Sequence, residues 1–206
     1  MKYVYPPRPV GKTIFSDLHI FESSGDWIIQ RKYNGTRNLI FRDVSGNIRF
    51  FNRHGKEHSR FKASESMIST LNNLAYEDGK AYVFDGELMN KNSDMEPFII
   101  IFDILFAGKY LFNRPNQMER LDILRNLCGN PMTLTDWGFL MAKDVYLAHH
   151  WEKDFLAEYQ KAIKISQIEG LVLRKKSAGL DNFGDREYCT QTQIRCRKQI
   201  ENGYNF

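Results

Sequence analysis

The chain has 206 residues, 42% hydrophobic and 14% aromatic, enough for one large domain with a filled core. No run approaches the roughly 18 apolar residues of a membrane helix. The start, Met1–Pro7, lacks the apolar stretch of a secretory leader, so a soluble intracellular protein, cytoplasmic or viral, is expected. The net charge of +4 suits a polyanionic partner, and three cysteines without C-x-x-C spacing argue against a disulfide framework or a zinc site.

Residues 1–26 are punctuated by Pro6-Pro7-Arg8-Pro9 and Ser23-Ser24-Gly25 around an apolar stretch, Ile14 to Phe21. This predicts an irregular N-terminal segment with at most one short element. Trp27–Lys32 and Arg37–Asp43 are strand-like runs on either side of Asn34-Gly35. That pair between such runs predicts a hairpin closed by a type I′ turn, whose two central residues need positive φ. Ser45-Gly46-Asn47 is a second turn, and Ile48–Asn52 a third strand of a meander. The spacing of Met67, Ile68, Leu71, Leu74 and Ala75 predicts a helix over 64–76 with Ser64 as its N-cap.

Ala81–Met89 reads as a strand, and Pro97–Phe106 as a strand buried on both faces. Asn116–Leu127 and Trp151–Ile165 read as helices, Ile168–Lys176 as a strand turning basic, 177–190 as a loop and Thr192–Lys198 as a last strand. Strand clusters with helices inserted between them predict an α+β domain, with mainly antiparallel sheets and flanking helices.

Lys32 ends the first strand, with Arg31 and Arg37 nearby in sequence. A lysine close to other cations gives up its proton more readily and becomes a nucleophile. Glu87 and Asp103 interrupt apolar strands, and each taken singly reads as a structural acid paired with arginine or backbone donors. Glu169 precedes Gly170-Leu171-Val172-Leu173, and Arg195, Arg197 and Lys198 form a basic alternation.

Taken in order, Lys32-Tyr33-Asn34-Gly35-Thr36-Arg37, Arg53-His54-Gly55-Lys56, Asp85-Gly86-Glu87, Phe102-Asp103-Ile104-Leu105, Glu169–Lys175 and Ile194–Lys198 resemble the serial motifs of the covalent nucleotidyltransferases. That superfamily contains ATP-dependent DNA ligases, RNA ligases and mRNA capping enzymes. The resemblance runs from about residue 27 to 198, and Phe41-Arg42-Asp43, Phe51–Lys56 and Arg120-Leu121 resemble ATP-dependent DNA ligases in particular. It implies a ligase-type nucleotidyltransferase (adenylation) domain over 27–206. Residues 1–26 would be a segment of the same domain, with no OB-fold domain.

The resemblance also implies a chemistry. Lys32 attacks the α-phosphorus of ATP, with Mg²⁺ or Mn²⁺, and forms a lysyl-AMP. The AMP passes to a 5′-phosphate at a nick in nucleic acid, and a 3′-hydroxyl displaces it. By the same resemblance Arg37 and Arg53 touch ribose, phosphates or the nucleic-acid 5′-phosphate, Glu87 the ribose hydroxyl, and Phe102 stacks on the purine. Glu169 is tied to the metal, with Glu87 the second acid near it. Arg195 and Arg197 stand where the family usually carries two lysines on the α-phosphate, and Lys198 lies one place out of register. Gln30, two residues before Lys32, is placed to read the adenine edge, which favours ATP over GTP.

Asn34 replaces the aspartate of most DNA ligases and is found in some RNA ligases, so DNA is favoured only slightly over RNA. The alternatives are an RNA ligase, a capping-type guanylyltransferase and a non-catalytic nick- or end-binding protein. A monomer is expected, alone or with a partner that supplies an OB-fold function.

Overall fold

The computed structural model describes residues 2–90, 96–111, 114–129, 133–180, 186–200 and 203–204. Along them run β1 (Pro7–Thr13), α1 (Leu18–Ser24), β2 (Trp27–Tyr33), β3 (Thr36–Arg42), β4 (Ile48–Phe51), α2 (Glu65–Asn72), β5 (Tyr82–Met89) and β6 (Phe98–Ala107). After them come α3 (Gln117–Cys128), β7 (Thr133–Thr135), β8 (Gly138–Ala142), β9 (Val145–Leu147), β10 (His150–Trp151), α4 (Phe155–Ala162), β11 (Ile168–Lys175) and β12 (Tyr188–Arg197).

These strands build two sheets, one ordered β1-β12-β11-β2-β10 and the other β4-β3-β5-β6-β9-β8-β7. The pairings are antiparallel except for β1 with β12 and β6 with β9. The fold is therefore α+β with mainly antiparallel sheets, as the pattern of strand clusters predicts. The second sheet is one continuous stretch of chain, β3 to β9, inserted between β2 and β10 of the first.

β6 shows why its sequence is apolar almost throughout. Side chains alternate across a strand. Ile99 and Ile101 enter a core with Met67 and Leu71 of α2 and Leu124 and Leu127 of α3. Phe98, Ile100 and Phe102 enter a second core with Ile29, Leu171 and Leu173 of the first sheet and Phe155 and Tyr159 of α4. A strand with a core on each face carries no solvated row. α3 starts where Asn116 and Glu119 form a reciprocal capping box, as a helix beginning at Asn116 requires.

The hairpin at Asn34-Gly35 does not form. β2 pairs with β11 and β10, whereas β3 pairs with β4 and β5, so these two residues carry the chain from one sheet to the other. Neither has positive φ. Gly35 is required for a different reason: a Cβ there would lie 2.5 Å from Leu88 O and 2.7 Å from Glu87 Cγ. The segment passes directly against β5, and only hydrogen fits between.

The N-terminal segment is also more ordered than its prolines suggest. β1 is an edge strand whose partner, β12, lies at the far end of the sequence. An edge strand tolerates residues that lack an N–H. Helix ends differ as well. α4 starts at Phe155 because Glu22 accepts from the Asp154 and Phe155 N–H groups at 2.7 and 3.1 Å, and Trp151 lies in β10 opposite Ile29. α2 stops at Asn72, and Ala75 N donates to Leu127 O at 2.8 Å instead. β12 begins at Tyr188, inside the predicted loop 177–190, of which 181–185 lie outside the described residues.

Candidate active site

A cleft of about 620 Å³ opens between the sheets. Gln30 and Lys32 of β2, Val172 and Arg174 of β11, and Gln193, Arg195 and Arg197 of β12 line one wall. Arg37 of β3, Glu87 of β5 and Phe102 of β6 line the other, with Arg8, Arg53, His54 and Glu187 among the remaining residues. Eight of the residues singled out by sequence thus share one cavity. Glu169 joins them through its contact with Lys32, and Lys198 turns away to donate from Nζ to Ile165 O at 2.9 Å.

Strand register places the polar groups in rows. Lys32 lies opposite Gly170, which lies opposite Arg197; Gln30 lies opposite Val172, which lies opposite Arg195. Gly170 has φ 134°, and a Cβ there would meet Cys196 O and come within 2.9 Å of Arg197 Cα. No side chain can stand between Lys32 and Arg197 in that row. Glu169 Oε2 fills the opening, accepting from Lys32 Nζ with Arg197 Nε at 3.6 Å. The neighbouring guanidiniums do not turn toward Lys32 as their sequence positions suggest. Arg31 points to the opposite face of β2 and donates to Glu158 Oε1 of α4 at 2.9 and 2.6 Å. Arg37 is ion-paired with the fully buried Asp85.

On the second sheet, Glu87 Oε1 accepts from Gly35 N at 3.1 Å. Burial pushes the Glu87 carboxyl up to about 7, against the pull of Arg37 and Lys32. The Phe102 ring carries the guanidiniums of Arg37 and Arg174, each 5.1 Å from its centroid. Gln30 Nε2 donates to Phe102 O at 3.4 Å, while its buried Oε1 has no partner. Asp103 is structural: it accepts from Arg120 Nε at 2.9 Å, pairs with Arg174 at 3.3 Å and receives the Ile104 N–H at 2.9 Å. Its cationic partners hold the carboxyl below the usual range despite burial.

The site also uses residues that sequence reasoning left out. Arg174 sits inside a recognised motif, and its register with Ile28 and Gln193 is what aims it at Phe102. Arg8 and Glu187 carry no local signal, since β1 is visible only through its distant partner.

For a divalent ion, no group of three or more His, Cys, Asp or Glu gathers among the described residues. Glu169 offers one carboxylate, which suits an ion that takes its other ligands from phosphate and water, as magnesium does.

Two mostly antiparallel sheets thus line a cleft that carries Lys32. The comparisons with known proteins make this more specific. Residues 13–97 match the family model described as ATP dependent DNA ligase domain, a stretch that includes Lys32 and Glu87 and ends before β6. No curated protein matches the sequence. The ligase domain of M. tuberculosis LigD superposes with a TM-score of 0.63 at 15% identity, over 93% of this chain and 58% of that one. Mycobacterial DNA ligase D, complexed with ATP and MES, gives 0.68 at 14% identity, over 96% and 61%. A Lig E DNA ligase, from work on DNA binding with a minimal scaffold, gives 0.56 at 14% identity, over 95% and 70%. The chain thus spans about three-fifths of the first two. It has the nucleotidyltransferase domain fold of ATP-dependent ligases. No helix among the described residues is long and apolar enough to cross a membrane.

Proposed function

We propose that this domain adenylates itself on Lys32 with ATP and passes the AMP to a 5′-phosphate in nicked nucleic acid, where a 3′-hydroxyl seals the strand. The observation that carries the reading is the row Lys32–Gly170–Arg197, closed by Glu169 and facing Glu87 and Phe102 across one cleft.

In this reading Lys32 Nζ attacks the α-phosphorus. The protons of Nζ pass to Glu169 and solvent, a P–N bond forms, the α–β P–O bond breaks, and pyrophosphate leaves. Glu169 orients Nζ, and Arg195 and Arg197 balance charge on the α-phosphate. Arginine grips phosphate with paired donors but keeps its protons, so neither acts as an acid. A divalent cation, Mg²⁺ or Mn²⁺, held through Glu169 would neutralise charge on the phosphates. Glu87 receives the ribose hydroxyl. The purine stacks on Phe102; of the two guanidiniums on that ring, Arg37 is 20% exposed and Arg174 5%, so Arg37 is the one that yields the ring face.

ATP over GTP follows from Gln30. Its buried Oε1 has no donor, and a buried acceptor left unpaired costs on the order of 1–3 kcal/mol. Adenine presents an amino group that supplies the donor, whereas guanine presents an oxygen at the same ring position. This weighs against a capping-type guanylyltransferase. DNA is the favoured substrate, in line with the ATP dependent DNA ligase match. RNA is the second reading, carried by Asn34.

Intact mass after incubation with Mg²⁺ and ATP, GTP or NAD tests the proposal. One AMP added from ATP alone, absent in Lys32→Ala and Glu169→Ala, is expected. No adduct from any donor overturns it. Sealing assays on nicked DNA, nicked RNA and hybrids decide the substrate.

A further inference from the structure

At the exposed end of the cleft, four side chains form a chain of hydrogen bonds from one sheet to the other. Arg53 Nε donates to His54 Nε2 at 3.0 Å. That leaves Nδ1 as the protonated ring nitrogen, and it donates to Glu187 Oε1 at 2.8 Å. Arg8 Nη1 donates to Glu187 Oε2 at 2.9 Å. Arg53 and His54 follow β4 of the second sheet; Arg8 lies in β1 and Glu187 just before β12 of the first. Glu187 therefore places its two oxygens, both on one carbon, between donors from opposite walls. A non-bridging pair of phosphate oxygens on one phosphorus has the same shape and more charge.

Two further observations point to an anion here. Arg195 is held below its usual value by partial burial, with Arg197 and Arg8 adding to the effect, so the guanidiniums from β1 and β12 lie close enough to repel. Repulsion of this kind is relieved by an anion with more charge than one carboxylate. The bridge is also cheap to open: Arg8, Glu187 and His54 are 43%, 39% and 49% exposed at their side chains, and exposed pairs hold weakly. Lys32 is 19% exposed, deeper in the same cleft. Phosphoryl transfer runs with attacking and leaving groups in line, so a leaving group departs on the side away from the nucleophile.

We propose that Arg8 and His54 seat the β- and γ-phosphates of the nucleotide, and that Glu187 is an internal placeholder which the polyphosphate displaces. Glu187 keeps Arg8 paired and the two walls bridged until substrate arrives. It returns when pyrophosphate leaves, which disfavours rebinding of that product. The inference rests on the nucleotide reading of the cleft.

Calorimetric titration of the full chain with inorganic tripolyphosphate and with AMP tests it. Glu187→Gln is expected to bind tripolyphosphate between about threefold and tenfold more tightly, the range set by losing one exposed ion pair, to Arg8, and weakening one hydrogen bond, to His54. AMP, which has no tail, is expected to bind Glu187→Gln and the native chain alike. Arg8→Ala added to Glu187→Gln removes the gain, and Arg8→Ala alone weakens tripolyphosphate binding. Unchanged or weaker tripolyphosphate binding in Glu187→Gln overturns the proposal, as does a gain that survives Arg8→Ala. A gain confined to 5′-phosphorylated duplex DNA overturns it too, since the seat would then belong to the nucleic acid. The probe has no base, so stacking on Phe102 does not enter the comparison, and the Arg8→Ala arm separates this end of the cleft from Lys32, Arg195 and Arg197. Failure of the cleft reading appears separately, as absence of an AMP adduct on Lys32.

Discussion

Gly35 and Glu87 depend on each other, and each makes a prediction. Gly35 donates its N–H to Glu87 and leaves room for the Glu87 stem. In Gly35→Ala the new methyl meets the backbone oxygen of Leu88, which cannot swing aside as a flexible side chain can. The expected loss in urea unfolding is about 1–3 kcal/mol, the usual cost of overpacking, together with weaker adduct formation as Glu87 is displaced. For Glu87, burial raises the carboxyl from its ordinary 4.5 to about 7. The native state thus favours the protonated form. Its stabilising effect is complete below pH 4.5 and is lost as pH rises to about 7. Glu87→Gln has no such titration. Between those pH values the unfolding free energy of the variant should gain on that of the native chain by about 3 kcal/mol, at 1.36 kcal/mol per pH unit of displacement. Parallel curves for the two proteins would contradict the raised, burial-shifted Glu87 carboxyl.

At the scale of the element, β6 joins the two cores, and Asp103 is its one charged residue. Two guanidiniums, Arg120 and Arg174, depend on it in places with almost no solvent. Removing one partner of a buried pair leaves an uncompensated charge, so Asp103→Ala should cost about 3–5 kcal/mol in chemical denaturation. It should also loosen Arg174 over Phe102 and weaken ATP binding. Elements whose cause is local were legible in the sequence. The apolar run of β6, the capping box of α3 and the Asp43–Asn47 turn, with Asp43 Oδ1 receiving two backbone N–H groups at 2.9 Å, all carry their signals within a few residues. Elements that owe their existence to a remote partner were not legible. β1 reads as part of an irregular, proline-punctuated segment until β12 lies beside it, and β7, β9 and β10 are only 3, 3 and 2 residues long. Asn34-Gly35 misleads for the same reason. Its local chemistry specifies a hairpin, but β2 and β3 each find better partners in separate sheets.

In the whole molecule, the candidate site was easier to read than the architecture around it. Lys32, Glu87, Phe102, Arg195 and Arg197 lie on strands, so their sequence order survives as rows on two walls. The end of the cleft was not readable, because Arg8, His54 and Glu187 meet only after the N-terminal segment has crossed it. That segment is tied to both sheets. Tyr3 donates to Asn52 O at 2.7 Å and stacks on Phe41 with centroids 5.6 Å apart, and a few residues later β1 joins β12.

The insertion of the second sheet between β2 and β10 has a mechanical consequence. Lys32 and Phe102 sit on different slabs, and the backbone passes between those slabs immediately after Lys32. An AMP bonded to Lys32 and stacked on Phe102 would be a strut across the gap, fixed covalently at one end. Dilution removes bound ATP but not such a strut. Protein charged with ATP and then desalted should therefore resist trypsin cleavage within 34–56, whereas Lys32→Ala treated identically should be cut as fast as protein never exposed to nucleotide.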